Sequence, residues 1–221
     1  MAYSRGNNKN IIVGAAAFFV ADAPLSPTVV SSNVTGNDDS YPFFESARSY
    51  KDTVADDLDF KNVGYTTNGL ELTFEPDFGE VSVDQVLDVA KLYKQGMKVS
   101  MKTSMAESTL ENLLVVLALP STKLGAAAGK TTNAGQVLDL SAGQIGECPV
   151  ERGIIAVGPG TGDCAVSSKT ERVYIAYRAL SIESVTLSAK RDEATVFETN
   201  FRLLPEDTTG AYGKIVDRTY T

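Results

Sequence analysis

Between residues 70 and 84, apolar and polar side chains alternate with a period of two. Leu70, Leu72 and Phe74 interleave with Glu71, Thr73 and Glu75, and Val81 and Val83 interleave with Glu80, Ser82 and Asp84. Such a period sends one set of side chains to one face of a strand and the other set to the opposite face, as a half-buried sheet requires. Residues 76–79 read Pro-Asp-Phe-Gly, where Pro sets φ and Gly permits a positive φ. The pattern predicts a hairpin that turns at 76–79, with one apolar and one acidic face.

The remaining chain supplies partners for that hairpin. Residues 85–95 read as a short amphipathic stretch stopped by Gly96. Val99, Met101 and Met105 then alternate with Ser100, Lys102 and Ser104 as a further strand. The best helix spans 108–119. Ser108 or Thr109 can cap it, Glu111 has capping-box spacing from Ser108, and Pro120 ends it. Leu110, Leu113, Leu114 and Leu117 recur at helical spacing, so this face is expected to cover an open side of the sheet. Short strands are expected at 137–140 and 153–157, and longer ones at 172–181, 184–189 and 194–203. Irregular segments are expected at 22–62 (an arm or insertion), 121–168 (a Gly/Ala/Ser-rich loop region) and 204–221 (a polar C-terminal arm). The expected fold is a single domain of mainly β (α+β) class, a β-sandwich with one flanking helix.

The apolar run 11–21 admits two readings. Arg5 and Lys9 precede it and Ala21-Asp22-Ala23 follows, the layout of a secretory signal cleaved after Ala23. Its β-branched and aromatic members, Ile11, Ile12, Val13, Phe18, Phe19 and Val20, equally suit a buried strand. At eleven residues the run is too short to span a membrane.

Composition and motifs point away from catalysis. The chain of 221 residues has no histidine, hence neither the commonest general base nor the commonest metal ligand. With no tryptophan, acid pairs such as Glu71 with Glu75, or Glu80 with Asp84, lack the aromatic platform typical of sugar clefts. Residues 125–131 read GAAAGKT, one residue short of the phosphate-loop spacing, with Leu124 where the first glycine belongs. In Gly158-Pro159-Gly160-Thr161-Gly162 the glycine spacing is wrong for a dinucleotide loop, and Pro159 removes an N–H. Cys148 and Cys164 are read as free thiols, although one bridge between them is open. No catalytic residue, cofactor or metal is expected. The formal charge of −8 is unsuited to wrapping nucleic acid.

What remains is a polar face. The alternation gathers Glu71, Thr73, Glu75, Glu80, Ser82, Asp84, Ser100, Lys102, Ser104, Glu198, Asn200 and Arg202 on one side, five acids against two bases. By itself such a face is ordinary solvated surface.

Residues 62–76 (NVGYTTNGLELTFEP) through 81–85 (VSVDQ) resemble the first long hairpin of siphophage major tail-tube proteins. Residues 99–103 (VSMKT) to 108–114 (STLENLL) resemble that family's strand leading into its helix, and 11–21 its first strand. Residues 201–205 and 213–217 are a weaker likeness. The resemblance covers about half the chain as an order of elements, and it favours the strand reading of 11–21. It implies a β-sandwich whose long hairpin joins an inter-subunit β-barrel, in hexameric rings stacked as a virion tail. The listed polar residues would then face a negatively charged lumen that conducts DNA without binding it. The implied partners are further copies of the chain, a tape measure protein and a tail terminator, with no membrane. A secreted β-sandwich binding module is the alternative.

Overall fold

The computed structural model describes residues 12, 14–27, 60–85, 88–126, 136–140, 145, 148–161, 169–182, 184–188, 191–192 and 194–220. Ten strands and one helix are defined among them: β1 (Ala17–Ala21), β2 (Phe60–Asn62), β3 (Thr66–Ser82), β4 (Val89–Met105), α1 (Leu110–Val116), β5 (Leu124–Ala126), β6 (Gln136–Leu138), β7 (Arg152–Pro159), β8 (Lys169–Ser181), β9 (Phe197–Leu204) and β10 (Gly213–Tyr220). The protein is mainly β, a large antiparallel sheet with one helix against it, consistent with a β-sandwich and one flanking helix.

The sheet runs β2-β1-β7-β8-β9-β4-β3. One edge of β8 is shared: β10 pairs with it over residues 169–176 and β9 over 178–181. At that division the β9-β4-β3 part departs from β10, leaving an apolar cleft of about 300 Å³ between Leu72, Phe74, Val99, Met101 and Leu203 on one side and Tyr174 and Ile215 on the other.

Strands β1 and β7 are buried on both faces. Phe18, Val20, Ile154 and Ala156 enter one apolar cluster; Phe19, Ala21, Ile155 and Val157 enter another. This is why their sequences read as unbroken apolar runs, since neither face has to present polar groups to water. Phe18 stacks on Phe201 with ring centroids 5.9 Å apart. A cleavage after Ala23 would therefore strip a strand from between β2 and β7. Arg152, 2% exposed, ties down the same region by donating to Asp22 (2.6 Å) and to the Leu119 carbonyl (2.7 Å).

The helix is shorter than its sequence pattern. Thr109, not Ser108, caps it by accepting from the Asn112 amide at 3.2 Å, while the Ser108 hydroxyl donates to the Thr195 carbonyl. It ends at Val116, four residues before Pro120, and Ala118 just beyond it takes a φ of 52°. Leu113 and Leu114 are buried, and Leu110 and Leu117 pack half-buried against the first cluster. Val115 and Val116 are also buried, so the helix hides more than the expected leucine stripe. Asn112 compensates by donating to the carbonyls of Val63 and Glu107.

Several boundaries differ from those expected. The C-terminal residues 213–220 are a sheet strand, not an arm; Gly213 approaches β8 so closely that a Cβ would strike the Ile175 carbonyl. Residues 184–188, expected to begin a further strand, carry none. The bulk of the 22–62 arm, most of the GAAAGKT segment and Cys164 lie outside the described residues.

Candidate assembly surface

The main departure concerns the hairpin. Strand β3 continues straight through Pro-Asp-Phe-Gly, pairing Pro76 with Met97, Asp77 with Gly96, Phe78 with Lys94 and Gly79 with Tyr93. Strand β3 ends only at Ser82, Asp84 and Gln85 lie in a turn, and residues 89–95, expected within the amphipathic stretch 85–95, belong to β4. Two physical features explain the error. Pro is tolerated in a strand at a sheet edge, and β3 is the edge strand. Gly79 has no positive φ; a Cβ there would stand 2.6 Å from Tyr93 Cζ, so glycine serves a close cross-strand approach rather than a turn.

An uninterrupted β3 changes which residues share a face. Odd-numbered Glu71, Thr73, Glu75 and Asp77 lie on one side, and even-numbered Leu70, Leu72, Phe74, Phe78, Glu80 and Ser82 on the other. Leu70 and Leu72 pack on the core, so the even side is the core side. Glu80 and Ser82 are thus separated from the acids they were grouped with, and Asp84 lies in the turn. On β4 the skipped residue is Gln95, a bulge; its amide donates to the Tyr93 hydroxyl at 3.0 Å, while Lys94 Nζ donates to Met97 Sδ at 3.2 Å.

The other predicted members do meet. Glu71 stands opposite Lys102, which stands opposite Asn200; Thr73 opposite Ser100, opposite Arg202. Glu198 joins Glu71 and Lys102 around a polar recess of about 230 Å³. Ser104, by contrast, is buried at 3% exposure rather than wet. With Asp77, Lys91 and Lys98 added and Glu80 and Asp84 removed, this face holds four acids (Glu71, Glu75, Asp77, Glu198) and four bases (Lys91, Lys98, Lys102, Arg202). It is balanced, not acidic.

Beyond the core the two strands run on alone. Strand β9 pairs with β4 only over 99–105, so residues 89–98 have no strand partner on that edge, and β3 has none on its outer edge, among the described residues; the Met97 carbonyl accepts from the Tyr212 hydroxyl at 2.9 Å. Residues 74–78 and 80–82 are exposed, as are 90–95. The resulting ribbon projects roughly 27 Å, at about 3.4 Å per residue from Phe74 to Ser82. It carries Phe74, Phe78, Val81, Leu92 and Tyr93 at 40–60% exposure. Free two-stranded ribbons are marginal in water, and long apolar edges invite pairing with another chain.

Sequence reasoning missed Lys91, Lys94 and Lys98. Their spacing of three and four residues mimics a helix face; with Gln95 skipped at the bulge, Lys91 and Lys98 fall on the polar side and Lys94 on the core side. The absence of any acid from 89 to 105 was the available signal.

No helix among the described residues is long and apolar enough to cross a membrane. In comparisons with known proteins, no protein-family model and no curated protein matches the chain.

Proposed function

We propose that the protein is a structural subunit that polymerises through the β3–β4 ribbon, as a phage tail-tube protein does, in stacked hexameric rings around a conduit for DNA. The projecting ribbon carries this reading. Among the described residues it presents two free edges and an exposed apolar surface, and closure of strands across subunits would remove both edges. The side away from the subunit's own core is polar from Glu71 to Asp77, with Val81 and Tyr93 toward the tip, and would line the conduit. Balanced charge there gives phosphate no net attraction, so DNA slides without being held. The acids available to such a lumen are Glu71, Glu75 and Asp77 of β3 and Glu198 of β9, and four bases match them.

Negative-stain electron microscopy of the concentrated protein tests the reading, with rings or tubes having a central hole as the expected outcome. A monomer that persists at every concentration and salt condition overturns it. The virion tail as location, and a tape measure protein and tail terminator as partners, follow from the same proposal; co-purification with tails would support them. The secreted-module alternative gains nothing from the fold, in which Phe18, Phe19, Val20 and Ala21 are part of the core.

A further inference from the structure

Strands β3, β4 and β9 together bound the polar recess of about 230 Å³. Strand β3 is irregular there. Asn68 and Gly69 are inserted between the pairs Thr67–Ser104 and Leu70–Thr103, and both take a positive φ, 66° and 67°. The Thr103 hydroxyl holds this excursion by donating to the Gly69 carbonyl at 2.9 Å. The register sets Glu71 across from Lys102 and Glu198 across from Ser104. Two carboxylates thus line the recess from the outer strands, with one ammonium and one hydroxyl from the middle strand.

These groups are unclaimed by the rest of the protein. Neither Glu71 nor Glu198 forms an ion pair with Lys102 or with any other described residue, although Glu71 stands directly opposite that lysine. Ser104 is 3% exposed, and its hydroxyl has no hydrogen-bond partner among the described residues. A buried hydroxyl in that position is unfavourable, because it has given up water without gaining a partner. What Ser104 faces is the recess.

We propose that the recess is a binding site for a hard divalent cation of calcium's kind. The Glu71 and Glu198 carboxylates and the Ser104 hydroxyl oxygen hold it, and Asn68 on the wall is able to add an amide oxygen. Hard dications take carboxylate, amide and water oxygens in irregular sets, and the volume leaves room for waters beside the ion. No thiolate or imidazole lines the recess, so a soft metal finds no ligand there. An anion would meet two carboxylates against one ammonium, a net charge of −1. The same lysine opposes a cation, so binding should be weak, with a Kd of about 1 mM. The bound ion would tie β3 to β4 and β9. This inference concerns the recess alone and stands whether or not the chain polymerises.

Thermal unfolding of the purified chain in calcium chloride, against sodium chloride at equal ionic strength, tests it. At about 10 mM calcium the midpoint should rise by about 3–5 °C over the sodium control. Glu198→Gln should remove most of that rise. Lys102→Gln takes away the opposing charge and should tighten binding about tenfold. Both side chains are exposed, so both variants should fold as the wild type does. No rise over sodium, a rise that Glu198→Gln leaves intact, or weaker binding in Lys102→Gln would each overturn the proposal. Should a variant fail to fold, amide resonances of the wild type locate the ion. Those of 68–71, 102–104 and 198 are expected to move saturably with calcium, and saturable shifts confined to other residues would overturn the site.

Discussion

The interior strands and the projecting ribbon are made of the same kind of residues under opposite conditions. In β1 and β7 every apolar side chain meets protein on its own face, and Phe18, Ile154 and Val157 are at most 1% exposed. In the ribbon Phe74, Phe78 and Leu92 are at least half exposed, although they belong to strands more than twice as long as β7. Among the described residues the interior finds its partners within the chain and the outer edges of the ribbon do not. Stability and function should accordingly separate between the two regions.

The largest effect expected is in the interior. Phe201→Ala removes the ring stacked on Phe18 and should cost about 3–5 kcal/mol in urea unfolding of the monomer. A loss below ~1 kcal/mol would mean that the interior is not the stabilising region. Next comes Arg152→Ala, which deprives the Leu119 carbonyl and Asp22 of their donor. Because Asp22 is 42% exposed and can rehydrate, the cost should be nearer ~2 kcal/mol than that of a fully buried pair. Acid titration probes the sheet at β10. Hydrogen bonds from Arg172 hold the Asp217 carboxyl below its usual range, and those from Thr209 hold Glu206 at about 2. Carboxylates depressed in this way contribute stability that is complete above their unfolded values near pH 4 and lost as pH falls through the folded ones. Unfolding midpoints should therefore be flat above about pH 5 and decline below about pH 4. Asp217→Asn should flatten that decline, and an unaltered slope would break the assignment. Smallest of all for folding is Phe78→Ser on the ribbon, expected within ~0.5 kcal/mol in the monomer because the side chain is already 54% exposed. Sedimentation should nonetheless show its assembly weakened; unchanged assembly would place the interface elsewhere.

Legibility in the sequence followed the same division. Strands β1, β7, β8 and β9 were readable because burial imposes either an apolar run or strict alternation, as in the Phe197, Thr199, Phe201 and Leu203 series. The helix was readable from its cap and leucines, though not Val115 and Val116, which lie off the stripe. The ribbon was misread where it leaves the core. Pro76 and Gly79 carry turn chemistry that an edge strand tolerates, and the three- and four-residue spacing of Lys91, Lys94 and Lys98 reads as a helical face. Regular alternation could not report which residues shared a side once the assumed turn was absent. That single misplacement turned a charge-sorted ribbon into an acidic hairpin. Strand β10 was missed for a simpler reason, since its partner β8 lies some 40 residues earlier and local pattern gives no hint of the pairing.

The most direct test of the ribbon as an assembly element is amide hydrogen exchange, compared between monomer and polymer. The account predicts strong new protection at 74–82 and 89–98 on assembly, with little change in β1 and β7, which are already protected. Ribbon amides that exchange in the polymer as fast as in the monomer would contradict it.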